Sequence, residues 1–144
     1  MALTLREGQP EDLPLIEAWA RTEELDSRQA RPQQFVVAEL GGETVGFGRL
    51  IEHPDGWEVA CLWVAPAQRR QGLGTQIVGA LLARVAEGTP VYAVAAAPGF
   101  FQALGFVPSP DAPCSIAAKH HFCCREYEAE TVIMQYRPGG GLTP

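Results

Sequence analysis

Apolar and polar positions change period several times along the chain, and each change falls at a turn signal. From Ala2 to Arg6 they alternate, which predicts a short first strand. GQPEDLPLIEAWAR then places Leu13, Ile16 and Trp19 on one face behind an acidic first turn, the pattern of a helix start. Residues 22–33 are charged and contain a proline, which fits a second short helix or a loop covering one end of a sheet. FVVAEL and ETVGFGRLIE flank Gly41-Gly42, a hairpin signature. After the turn signal His53-Pro54-Asp55-Gly56 comes a third apolar run, WEVACLWV, which ends where Pro66 withholds its backbone donor.

Helical spacing returns with Leu73, Ile77, Val78, Leu81, Leu82 and Val85, and Gly88 with Pro90 closes that segment. PVYAVAAA reads as a buried strand, PGFFQAL as a short helix, GFVP as a brief strand or bend, and TVIMQYR as a closing strand. Residues 108–130 read as irregular, and GGGLTP as a mobile tail. Strand, glycine loop, helix, strand is a βαβ unit, so part of the sheet is expected to be parallel within a mixed α/β fold. At 144 residues the chain is long enough for one ordinary domain. The expected division is therefore one domain over 1–137 and a flexible tail over 138–144.

Charge and composition narrow the partners. A formal net charge of -6 disfavours nucleic acid held by a broad basic face. No apolar run approaches the roughly 20 residues needed to cross a bilayer, so no membrane partner is expected. The amino terminus lacks a basic region followed by an apolar core, and the four cysteines are then expected to be reduced thiols in the cytoplasm.

Against that acidic balance, QRRQGLG at 68–74 gathers two arginines and two glycines directly before a helix. The first amides of a helix have no partner within it and carry partial positive charge, so glycine there lets an anion approach bare backbone. Gly72 and Gly74 give that access, and Arg69 and Arg70 can pair with phosphate oxygens, which makes a pyrophosphate the natural guest. The plainer reading is a tight turn with solvated arginines. The dinucleotide fingerprint G-x-G-x-x-G fails because Ile77 takes its third glycine, and no G-K-[ST] follows.

Arg69-Arg70-Gln71-Gly72-Leu73-Gly74 resembles the [QR]-x-x-G-x-[GA] motif of the GNAT acyltransferases, whose loop holds the pyrophosphate of coenzyme A. Leu62-Trp63-Val64-Ala65-Pro66 is similar to the family's preceding strand and proline. Phe100-Phe101-Gln102-Ala103-Leu104-Gly105-Phe106 resembles its later F-Y-x-x-x-G-F segment. The likeness runs from about Leu3 to Arg137. It implies a mixed central sheet of about six or seven strands flanked by helices, with splayed parallel strands in the middle.

The resemblance also implies an acetyl-CoA-dependent N-acetyltransferase acting on a small-molecule amine through a ternary complex, as a monomer or homodimer. Leu62, Trp63, Val64, Arg69, Arg70, Gln71, Gly72, Leu73, Gly74, Thr75 and Phe101 would contact the cofactor, and backbone donors near Val64 would face the thioester oxygen. Glu58 looks like the family's glutamate base, with Glu39 and Glu52 as rivals and a surface carboxylate as the plain alternative. Two departures stand out: Phe101 replaces the tyrosine that protonates the leaving thiolate, and Val94 replaces a pantetheine-binding asparagine. Tyr92, Tyr136 and the Cys/His segment are substitutes for that acid. The Phe-Phe version resembles the N-acetylglutamate synthase acetyltransferase domain and arsenic-operon-associated acetyltransferases. That would imply an amino-acid-like acceptor with a carboxylate-binding arginine such as Arg6, Arg31 or Arg49. The alternatives are a catalytically weak acyl-CoA-binding or sensing module, or a metal- or metalloid-binding protein on the same fold. CSIAAKHHFCC, from Cys114 through His120, His121 and Cys123 to Cys124, does not space its ligands as zinc sites do, so no metal is expected, although a soft metal or metalloid could use such thiols.

Overall fold

The computed structural model describes residues 2–126 and 130–137, and the expected tail at 138–144 lies outside them. The chain divides into two compact units, Met1–Ile51 with Val59–Ala86, and Glu52–Glu58 with Glu87–Pro144.

The first unit holds β1 (Leu3–Glu7), α1 (Leu13–Thr22), β2 (Phe35–Leu40), most of β3 (Glu43–His53), the later part of β4 (Gly56–Val64), and α2 (Leu73–Leu82). Its strands lie in the order β1-β2-β3-β4. β1 and β2 pair antiparallel from Leu3 opposite Leu40 to Glu7 opposite Val36. β2 and β3 do so with a bulge at Ala38/Glu39. Gly41 and Gly42, at φ 59° and 83°, both take the left-handed conformation that a two-residue hairpin turn requires. On one face Ile16 and Ala20 of α1 pack on Phe35, Val37, Phe47, Cys61 and Trp63. On the other, Ile77 and Leu81 of α2 sit over Gly48, where a Cβ would stand 2.7 Å from the Ile77 Cγ2. Glycine in β3 is therefore what lets α2 approach the sheet.

The expected second element at 22–33 is loop with one 3-10 turn, Pro32–Gln34. The helix expected to reach Gly88 ends at Leu82 and continues as tight turns, with Arg84 N bonded to Leu81 O and Val85 N to Leu82 O. Beyond that end the Arg84 guanidinium donates to Gln33 O at 2.9 Å and Phe35 O at 3.1 Å.

The second unit holds β5 (Val91–Ala95), α3 (Pro98–Ala103), β6 (Phe106–Pro108), α4 (Cys114–Glu126) and β7 (Val132–Tyr136). β7 lies between β5 and β6, antiparallel to both. The start of β4 runs parallel to β5, beside which Trp57 N donates to Pro90 O at 2.9 Å. Parallel and antiparallel pairs together make the sheet mixed, as the βαβ pattern predicts. One expectation fails: 108–130 is not irregular, because 13 of its residues form α4. The face of α4 that turns inward is Ile116, Lys119 and Cys123, all buried. A lysine in the middle position breaks the apolar spacing by which a helix is recognised.

Candidate active site

β4 and the loop after it are shaped by backbone conformation. Along β4 the buried positions run Gly56, Glu58, then Val59, Cys61, Trp63, a change of phase after Glu58. Cys61, at φ 51°, holds a left-handed conformation that is uncommon for a residue with a side chain. Trp63 turns into the core, stacked on Trp19 at 4.7 Å and Phe47 at 5.3 Å between ring centroids. Leu62 and Val64 are half-buried. The strand stops at Val64, and Pro66–Gln68 form a 3-10 turn, as the proline predicts.

The glycine loop follows. Arg70 and Gly72, at φ 66° and 82°, are both left-handed. A Cβ at Gly72 would meet nothing within 4 Å, so conformation, not space, demands glycine there. The first bond of α2 runs from Gln76 N to Gly72 O at 3.1 Å, which leaves the amides of Leu73, Gly74 and Thr75 ahead of the ladder. The two arginines differ. Arg69 Nε donates to Val64 O at 2.8 Å and its other arm reaches Glu23 at 3.5 Å, so it braces the loop against the end of β4. Gln71 likewise bonds back to Ala67 O. Arg70 is exposed and has no bond to any described residue, so its charge is available to an anion.

In the second unit the sequence-predicted base sits in a buried charge cluster. Glu58 is 1% exposed. Its Oε1 lies 2.9 Å from His53 Nε2, and its Oε2 accepts from Lys119 Nζ. Lys119 is itself only 8% exposed. Burial pushes the Glu58 carboxyl up, but the His53 hydrogen bond and the charge and hydrogen bond of Lys119 outweigh it and hold the group below the ordinary carboxylate value. Glu58 is therefore ionised at neutral pH, and an ionised carboxylate only accepts, so the His53 Nε2 carries the hydrogen. A second contact anchors α4 at its start, where Ser115 Oγ donates to Asp55 in the turn between β3 and β4.

Phe101 is buried between Phe100 and Phe106, each ring 5.2 Å away and edge-on. Phe106 in turn touches Tyr136, while Tyr92 is buried on β5 and Val94 pairs with Ile133 of β7. Glu39 is tied to Arg6, and Glu52 is exposed. Of the candidate carboxylate-binding arginines, Arg6 is engaged by Asp12 and Glu39, and Arg49 by Gln34 and the carbonyls of Asp26 and Arg28. Arg31 is exposed, with no ion pair to a described residue. In α4, Cys114 is exposed and Cys123 buried, and His120 Nδ1 meets Thr131 Oγ1 at 2.7 Å. The Cys124 side chain lies outside the described residues. Among the described residues no three His, Cys, Asp or Glu converge as a metal would require, and no helix is long and apolar enough to cross a membrane.

Mixed sheet, glycine loop and helix start define the class of acyl-CoA N-acyltransferase folds, and the comparisons agree. Residues 31–108, more than half of the chain, match the model of the acetyltransferase (GNAT) domain, and the chain belongs to that family. No curated protein sequence matches it. Among solved structures it resembles N-acetylglutamate synthase from Neisseria gonorrhoeae complexed with coenzyme A and N-acetyl-glutamate (TM-score 0.77, 20% identity, 95% of this chain and 35% of that one). It also resembles Rv2747 from Mycobacterium tuberculosis in complex with CoA and NLQ (TM-score 0.72, 23% identity, 92% and 98%) and Escherichia coli ElaA (TM-score 0.65, 17% identity, 94% and 100%). At these identities the likeness establishes the fold. The chain spans about a third of the length of the synthase.

Proposed function

We propose that this protein is an N-acetyltransferase that moves an acetyl group from acetyl-CoA to the amine of a small molecule, by direct attack while both are bound. The observation that carries the reading is the loop from Arg69 to Gly74. A left-handed Gly72, three amides ahead of the helix ladder and the unengaged Arg70 make an anion cradle that fits a pyrophosphate. The coenzyme A in two of the resembling structures supports the choice of guest.

Acetyl-CoA supplies a thioester, activated for attack by an amine. The chain's part is to bind, orient and move protons. Amides from Leu73 to Thr75 and the Arg70 guanidinium hold the diphosphate, while Arg69 fixes the loop to Val64. Backbone donors near Val64 polarise the thioester carbonyl; Ala65 N is not one of them, because it donates to Val45 O. Phe101 offers an apolar wall and no proton. Glu58 is the charged carboxylate of the proton path. The acceptor is amino-acid-like, its carboxylate met by Arg31, the exposed arginine of the three candidates.

The burial of Phe101 among Phe100 and Phe106 favours one second reading, a module that binds acyl-CoA without turning it over. Calorimetry with coenzyme A, followed by thiol release in a dithionitrobenzoate assay over an amine and amino-acid panel, separates the two. Binding with turnover supports the transferase, and binding without turnover supports the module. Folded protein that gives no heat with coenzyme A sinks both.

A further inference from the structure

We propose that His53 is the group that takes the proton from the acceptor amine, and that Glu58 and Lys119 are positioning residues that act through it. This rests on the transferase reading and changes who does the proton work within it. Three observations lead there. Glu58 is 1% exposed and each of its oxygens already accepts a hydrogen bond from a side chain packed against it, so burial keeps an amine or a bridging water from its remaining lone pairs. The His53 side chain, by contrast, is 18% exposed, and its one hydrogen bond to a described residue uses Nε2. With the hydrogen held on Nε2 by an ionised carboxylate, Nδ1 is left with the lone pair and faces away from that bond, because the two nitrogens lie on different edges of the ring.

Lys119 has a distinct part. A carboxylate buried alone would take up a proton and lose its ability to hold the Nε2 hydrogen. Paired with the lysine it stays ionised, and it stabilises the imidazolium that forms when Nδ1 accepts a proton, the same division of labour as carboxylate and histidine in hydrolytic triads. The charged or ionisable groups of this region are Glu58 on β4, which meets His53, Lys119 on α4, which meets Glu58, Glu52 next to His53 in the chain, Asp55 in the turn, tied to Ser115, and Tyr92 on β5, against Gly56.

The step balances as follows. An acceptor ammonium gives one proton to Nδ1 of His53, directly or through a water, and becomes nucleophilic. Its nitrogen forms the new N–C bond as the C–S bond breaks, its second proton ends on the departing thiolate, and His53 returns its own proton to solvent.

Two experiments test this, the first without any substrate. Long-range proton–nitrogen spectra of the free protein are expected to show neutral His53 in the Nε2–H tautomer, with that preference weakened in Glu58→Gln. A dominant Nδ1–H tautomer overturns the proposal. The second uses whichever panel amine wild type acetylates fastest. His53→Gln, which retains an N–H for Glu58, is expected to lower kcat/KM by about 10²-fold or more, to leave a pH profile whose acidic limb follows the acceptor amine alone, and to leave coenzyme A binding unchanged. His53→Ala is expected to regain activity with added imidazole. A His53→Gln enzyme that keeps wild-type turnover and pH profile overturns the proposal while leaving the transferase reading intact. Loss of coenzyme A binding by wild type would instead overturn the transferase reading, and the tautomer result would still decide the arrangement of the cluster.

Discussion

Replacing Lys119 with methionine leaves Glu58 as a carboxylate that is 1% exposed and has lost its cation. Methionine fills most of the lysine stem's volume, so packing changes little and electrostatics dominates. Removing one partner of a buried ion pair typically costs about 3–5 kcal/mol, because the remaining charge keeps its desolvation penalty without compensation. Unfolding entropy of about 2.1 cal/mol/K per residue gives roughly 0.3 kcal/mol/K for a chain of 144 residues, so the melting temperature is expected to fall by about 10–17 °C. The pH dependence has a definite sign. In wild type the Glu58 carboxyl lies below its ordinary value when folded, so its contribution is present above the unfolded value and is lost as pH falls through the folded one. Without Lys119 the burial that pushes the carboxyl up faces only the His53 bond, and a protonated Glu58 becomes the cheaper form to bury. The gap between variant and wild type is then expected to narrow toward pH 5. Denaturant or thermal unfolding at pH 7 and pH 5 measures both effects, and Lys119→Met/Glu58→Gln is expected to recover at least about 1 kcal/mol of the loss. A Lys119→Met protein within about 0.5 kcal/mol of wild type at pH 7, or single substitutions that simply add, would refute the buried pair as drawn.

Three further outcomes test other parts of the molecule. Gly48→Ala puts a Cβ 2.7 Å from Ile77 Cγ2 and 3.0 Å from Leu81 Cδ1, and is expected to destabilise by about 1–3 kcal/mol in chemical unfolding, since both neighbours are fully buried. Arg70→Ala is expected to weaken coenzyme A binding by about tenfold or more in calorimetry without lowering the melting temperature, whereas Arg69→Ala, which frees Val64 O, should lower both. Asp12 sits below its ordinary value because Arg6 hydrogen-bonds it, so its stabilisation is present above about 3.8 and is lost as pH falls through the folded value; Asp12→Asn should flatten the acid limb of a stability profile measured between pH 5 and pH 2.

What could be read from the residues and what could not divide along a physical line. The strands were legible because each shows a short run of alternating or β-branched residues bounded by glycine or proline, and the hairpin at Gly41-Gly42 needs only local backbone freedom. The cradle was legible for the same reason: Gly72 is required by its own φ, and its neighbours along the chain supply the charge. The α4 helix was not. Its inward face carries Lys119 in the place where an apolar residue would have announced it, and Glu58, 61 positions earlier, is there to meet that lysine. The unread helix and the unread charge cluster are therefore one fact seen twice. Glu58 itself was found by its position on the strand before the loop, yet its burial and its two partners could not be inferred from that strand. His53 had no signal beyond a turn that it shares with Pro54 and Asp55. A side chain whose role depends on a partner brought in by folding leaves, at most, a flaw in the local pattern. The lysine at 119 is such a flaw, and asking what could neutralise a charge on the buried face of a short helix is the question that would have led from the sequence to Glu58.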